Sequence, residues 1–411
     1  MKFVGQRAVH SAILGLGVSL AALPLVSGAR AQVSDDVVKI GAMSDQSGPY
    51  ADNGGPGSVV AARLAIEDAG GKVLGKKIEL VVADDQNKPD TGVAIVSRWV
   101  DHDGVDMVVG GSASSIALAT QEIMKQRGKP YLLAGTASSD LTNGACSPMG
   151  QQWVLDTYSL PKAVAGSLVK QGLDSWFFLT VDYSFGKAWQ ADTTKFINAA
   201  GGKVVGSVLH PLNTSDFSSF LLQAQASKAK VVAMANSGAD FGNAVKQAQE
   251  FGLTPAQRLV PLGLMINQTH SLGLETAQGM QLSTPFYWDM NDGTRAFAKR
   301  FMAAFGGRPP NEAQAGTYSA VRHYLKAVEA AGTDEGKAVV AKMKELPIND
   351  FSMKDVRIRD DGQVMRPMYL AQVKSPKEVK YPYDYYTIIE TIPAEQAWRP
   401  ASESACPLLK K

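Results

Sequence analysis

A chain of 411 residues with a formal net charge of +2 has no clustered basic face, which excludes a nucleic-acid footprint. Its first 31 residues read as an export leader. Lys2, Arg7 and His10 make a basic start, Ala12 to Val26 an apolar run, and Ala29-Arg30-Ala31 a small-x-small cleavage pattern. The run is shorter than the ~20 residues a spanning helix needs, so a soluble mature chain from Gln32 is expected in the periplasm. Removing the leader lowers Lys+Arg from 41 to 38 against 39 Asp+Glu, a charge of about −1. The remaining length of about 380 residues exceeds one ordinary domain and suggests two lobes sharing a hinge.

In chain order, Val37–Ser44 is a β-rich run, followed by a helical stretch from about Pro56 to Ala69. Next come strand Ile78–Ala83, helix Asp90–His102, strand Val105–Val109, helix Ser115–Gln126 and strand Pro130–Ala134. The rhythm restarts with helix Pro161–Lys170 and strand Trp176–Val181. It continues through Ser184–Ala199, Lys203–Leu209, Phe217–Ser227, Val231–Ala235 and Asp240–Phe251. Thr294 to Leu346 reads as mostly helical, and Met368–Val373 as a late strand. Strands apolar on both faces, separated by helices, are the pattern of parallel sheets covered on both sides. Two such series read as two doubly wound lobes, to either of which the late elements can return.

That architecture places a ligand beyond the carboxyl ends of the strands, where helix N-termini converge. Four loops stand there: Ser112–Ser115, Gly135–Ser139, Asp182–Gly186 and Asn236–Asp240. Each joins small or hydroxylic residues to a following helix, whose N–H groups can cradle an anion. Capping explains any one such loop, but four in equivalent positions favour a site.

Two glycine-rich stretches do not carry nucleotide chemistry. Gly70 to Lys76 has phosphate-loop spacing, but Lys77 stands where a Ser or Thr must follow, and the segment leads from helix into strand. Gly54-Gly55-Pro56-Gly57 lacks the dinucleotide spacing, and no Gly-x-Ser-x-Gly elbow is present. The four histidines after the leader, His102, His210, His270 and His323, have no metal-ligand spacing, so neither a metal nor a cofactor is expected. Cys146 and Cys406 are a candidate disulfide in an oxidising compartment, with two buried free thiols as the alternative.

Ile40-Gly41-Ala42-Met43-Ser44 with Ser47-Gly48-Pro49-Tyr50, then Asp84 to Pro89 and Val109 to Ser115, resemble the leucine/isoleucine/valine-binding proteins of ABC importers. Asp182 to Gly186 and Gln247 to Leu253 continue the likeness in order, over roughly Val37 to Val373. The resemblance implies the type I periplasmic-binding-protein fold: two doubly wound parallel-sheet lobes joined by a three-crossing hinge. Lobe I would comprise 36–157 with about 284–360, and lobe II 158–283 with about 361–390; 391–411 would be a C-terminal tail.

Carried over residue by residue, the resemblance puts Ser114 where the family holds a solute carboxylate, with Ser115 beside it. Gly135 and Ala137 fall where the family presents a carbonyl and a Thr hydroxyl to the solute ammonium. Here Ala137 replaces the Thr, and Thr136 and Ser138 are its hydroxylic neighbours. The clamp tyrosine falls near Ser237, and the acid that neutralises the ammonium near Gly263 or Leu264. A buried ammonium without a carboxylate is costly, whereas N–H groups and hydroxyls alone can hold a carboxylate. The expected cargo is therefore a small organic acid, aromatic ones included, rather than leucine. Asn53, Tyr183 and Trp153 are candidate walls, and Asp156 or Asp182 would restore an amino-acid reading by pointing inward. The family's small-loop disulfide is replaced by Asn87 and Ala113, which suits Cys146–Cys406 as a substitute staple. The expected role is a non-enzymatic solute receptor serving an inner-membrane ABC permease; the alternatives are amino-acid binding in the family manner and a periplasmic sensory module.

Overall fold

The computed structural model describes residues 1–5, 8, 33–254 and 256–409. Apart from 1–5 and 8, the expected leader lies outside the described residues. Ala31–Lys411 form one compact unit. Its first series runs β1 (Val37–Ser44), α1 (Gly55–Asp68), β2 (Lys72–Val73), β3 (Lys76–Asp84), α2 (Pro89–Asp101), β4 (Met107–Gly110), α3 (Ser114–Arg127), β5 (Tyr131–Leu133) and β6 (Gly150–Gln152). These strands make a six-stranded sheet in the order β2-β3-β1-β4-β5-β6, parallel except for the β2 edge.

The second series runs α4 (Ser159–Lys170), β7 (Ser175–Val181), α5 (Ser184–Ala199), β8 (Lys203–His210), α6 (Ser218–Ala226), β9 (Val231–Ala235), α7 (Gly238–Glu250) and β10 (Arg258–Pro261). Its sheet is parallel, in the order β10-β9-β7-β8. Then follow α8 (Ile266–Leu272), α9 (Leu274–Ala277), β11 (Gln281–Thr284), α10 (Asp292–Ala304), α11 (Glu312–Ala331), α12 (Gly336–Glu345), β12 (Met368–Val373), β13 (Tyr386–Ile392) and α13 (Ala394–Ala397). Helices α10 and α11 return to pack on α1, while β11, β12 and β13 form a small antiparallel sheet.

Side chains on successive strand residues point to opposite faces, and here both faces are covered. In β7, Trp176 and Phe178 enter the core that reaches β1 and β5, whereas Phe177 and Leu179 enter the core beneath α6 and α7. The expected alternation is thus realised, with ends shifted by one or two residues. Strands β2, β6, β10, β11 and β13 were not anticipated. β6 (Gly-Gln-Gln) has no apolar side chain, yet both glutamines are buried. The Gln152 amide donates to the carbonyls of Thr136 (2.8 Å) and Leu155 (2.6 Å), a tertiary pairing that periodicity cannot reveal. Among the described residues, no helix is long and apolar enough to cross a membrane.

Candidate functional site

The loops beyond β1, β4 and β5 face those beyond β7, β9 and β10 across a cavity. Its apolar wall comprises Leu155, Leu160, Phe185, Trp189, Leu264 and Met265, and Ser112, Gly135 and Ala137 bring a small-residue surface. The loop after β1 is shaped by buried Asp45. Its carboxylate accepts the N–H groups of Gly48 (2.6 Å) and Tyr50 (2.8 Å), turning Tyr50 and Asn53 toward the cavity.

Contacts across the cavity bridge its two sides. The Tyr50 and Tyr183 hydroxyls lie 2.8 Å apart, and burial raises both phenols well above their ordinary range. Asn53 donates to the Ser237 hydroxyl (3.2 Å), which also accepts from the Gln268 amide (3.1 Å). Asn267 donates to the Asn53 side-chain oxygen (3.0 Å), and Asn311 donates to the Asn53 carbonyl (2.8 Å) and the Asn267 side chain (3.0 Å). The Ala239 N–H donates to the Pro49 carbonyl (3.1 Å). Gly238 permits that approach: its φ is +62°, and an added Cβ would lie 2.2 Å from the Pro49 oxygen.

Of the sequence-derived candidates, Asn53, Gly135, Ala137, Tyr183 and Ser237 line the cavity. Ser114 and Thr136 sit just behind it, buried, with hydroxyls 3.3 Å apart, and Ser115 lies one residue further into α3. In their place Ser112 reaches the wall; its oxygen accepts the Asp45 N–H (2.7 Å). Ser138 caps the turn 139–142, accepting the Asp140 N–H. Asp156 is outside the lining: it accepts the N–H groups of Ser159 (2.6 Å) and Tyr158 (3.1 Å) at the start of α4, and burial raises its carboxyl to about 6. Asp182 pairs with Lys187 at 2.8 Å. Trp153 is a core residue whose indole donates to Ser319 (3.0 Å), because a ring with a ready internal partner packs inward. Cys146 and Cys406 are joined as a disulfide, with Cα atoms 5.7 Å apart.

Wall residues not read from the sequence include Leu155 and Met265, and four that stand on helices: Leu160, Trp189, Gln268 and Glu312. These four stand in the first turn or two of a helix, where a polar residue reads as a cap and an apolar one as core. The Trp189 indole N–H has no hydrogen-bond partner among the described residues. Glu312, the first residue of α11, is 4% exposed. Burial pushes its carboxyl up to about 8. Its own backbone N–H and the Arg366 guanidinium pull the other way.

Residues 37–378 match the family model for periplasmic binding protein. A protein named Leu/Ile/Val-binding protein homolog 6, from Brucella abortus, is 27% identical over 336 residues, covering 79% of this chain and 84% of its own length. Among solved structures, a periplasmic binding protein from Burkholderia mallei is 45% identical with a TM-score of 0.89, over 91% of this chain and 100% of that one. A branched-chain amino acid ABC transporter periplasmic ligand-binding protein from Burkholderia xenovorans is 39% identical with a TM-score of 0.80, over the same shares.

Proposed function

The chain belongs to the periplasmic binding protein family, whose members bind substrates rather than transform them, and we propose that its cargo is a small carboxylate-bearing solute. One observation carries this reading: a largely apolar cavity between two parallel sheets, with the Ser112 loop leading into α3 among its few polar elements. The Ser112 hydroxyl and the first N–H groups of α3 take the carboxylate, with Ser114 and Thr136 bracing the loop from behind. Leu160, Phe185 and Trp189 take the apolar body. Lobe I is then 36–157 with about 284–360, lobe II is 158–283 with about 361–390, and 391–411 is the tail. The protein works in the periplasm and hands its cargo to an inner-membrane ABC permease, closing by rotation of one lobe onto the other.

The test is a thermal-shift panel on protein unfolded and refolded to remove carried-over ligand. Aliphatic and aromatic carboxylates, with and without an amino group, are compared with their carboxamides. A ligand at ~100 times its dissociation constant adds ~2.7 kcal/mol, so a bound acid moves the melting midpoint visibly. Stabilisation by acids and not by their carboxamides is expected. Equal stabilisation by both would remove the carboxylate from the recognition scheme.

A further inference from the structure

Most polar side chains on the cavity wall are already engaged. Tyr50 and Tyr183 hold each other, and Asn53, Ser237 and Gln268 form a closed chain in which the Gln268 oxygen also accepts the Met265 N–H at 2.9 Å. Glu312 is different. The residue is buried, lines the cavity, and its carboxyl meets only its own backbone N–H and the longer-range field of Arg366. Arg366 is itself buried, donating to the Pro285 carbonyl at 2.8 Å. Tyr386, the other titratable group within its field, shares its hydroxyl with Thr269 (2.8 Å) and the Leu264 carbonyl (3.3 Å). A buried carboxyl whose one donor is its own backbone N–H keeps acceptor capacity that the protein alone does not match.

We infer that Glu312 is a specificity-determining residue that accepts a hydrogen bond from a donor group on the solute, so that the cargo carries an N–H or O–H group besides its carboxylate. The inference rests on the carboxylate reading above and supplies, from the start of α11, the acid absent at Gly263 and Leu264. It also reverses the expectation that the cargo must lack an amine. An ammonium and a hydroxyl share this chemistry but differ in protons. Burial raises the Glu312 carboxyl to about 8, which favours its protonated form at pH 7 in the empty protein. Pairing with an ammonium ionises it and releases about one proton, whereas a hydroxyl binds the protonated carboxyl and releases none.

The test uses the full mature chain and calorimetric titration with two matched sets. One set is 4-methylpentanoate, leucine and 2-hydroxy-4-methylpentanoate; the other is 3-phenylpropanoate, phenylalanine and 3-phenyllactate. In the wild type, an ammonium-bearing acid should bind roughly 10- to 100-fold tighter than its plain parent, the range for a buried charge-assisted hydrogen bond, and a hydroxyl-bearing acid, whose bond to the protonated carboxyl is neutral, up to about 10-fold tighter. Glu312→Leu should bring the pair within about threefold, while Glu312→Gln should keep the preference for a hydroxyl and lose that for an ammonium. Should Glu312→Leu fail to fold, the Glu312→Gln split decides. Repeating the titration in two buffers of different ionisation enthalpy gives the proton count and so names the donor. Equal binding of plain and donor-bearing acids, or a preference that survives Glu312→Leu, overturns the inference and leaves the carboxylate reading standing. Failure of every acid to bind overturns both.

Discussion

Tyr50 and Tyr183 close the cavity with one hydrogen bond between a buried ring, Tyr50, and a half-buried one, Tyr183, that packs on the apolar core. Tyr50→Phe removes one hydroxyl and strands the other, which costs about 1–3 kcal/mol of the closed form. Affinity for any bound acid should fall about 5- to 100-fold with the melting midpoint of the empty protein little changed. The double Tyr→Phe variant should recover part of the loss, because no unmatched hydroxyl remains. Titration of the three variants checks this; a double variant weaker than Tyr50→Phe would show that the hydroxyls touch the solute rather than each other. Residues of this kind were partly legible in the sequence. Asn53, Gly135, Ala137, Tyr183 and Ser237 stand in loops after strands, where doubly wound topology directs attention. Trp189, Gln268 and Glu312 project from helix starts instead. In sequence, Asn311 followed by Glu312 is indistinguishable from an ordinary cap with an acidic first turn.

Helix α11 shows why an element can be predictable while its role is not. The Asn311 side chain accepts the Gln314 N–H at 3.0 Å and the Gln314 side chain accepts the Asn311 N–H at 3.0 Å, a reciprocal cap written plainly in the sequence. The same Asn311 amide also donates to Asn53 and Asn267 across the cavity, a contact set only by tertiary placement. Asn311→Asp separates the two functions. It keeps the capping oxygen and loses the donor, so it should melt within about 1 kcal/mol of wild type yet bind clearly more weakly. Asn311→Ala should lose both, with an added stability loss of ~1 kcal/mol. Chemical denaturation and titration of both variants provide the measurement. Equal affinity for Asn311→Asp and wild type would confine Asn311 to capping. The short strands β6 and β10 mark the same limit, since three or four residues with Gln or Arg carry no period of their own.

At the scale of the molecule, the C-terminal segment ties the two series of elements together. Cys406 is bonded to Cys146 and Ala405 donates to Asn143 (2.7 Å), both in the segment between β5 and β6. Arg399 pairs with Asp192 of α5 at 2.9 Å and lies 4.3 Å over the Tyr158 ring, while Glu403 accepts from Tyr158 (3.1 Å) and Lys195. Trp398, fully buried, donates to the Arg366 carbonyl at 2.7 Å. The sequence offered only a cysteine pair here. The ion pairs depend on where the chain returns, which composition does not encode. The bond closes a separation of 260 residues, for which chain entropy gives an upper stabilisation of about 5 kcal/mol. Cys146→Ser with Cys406→Ser should therefore lower the melting midpoint by about 5 °C. Because Arg399 and Glu403 still grip α5 and Tyr158, solute affinity should change less than about threefold. The opposite pattern, an intact midpoint with strongly weakened binding, would mean that the bond governs how far the cleft opens rather than how firmly the chain is folded.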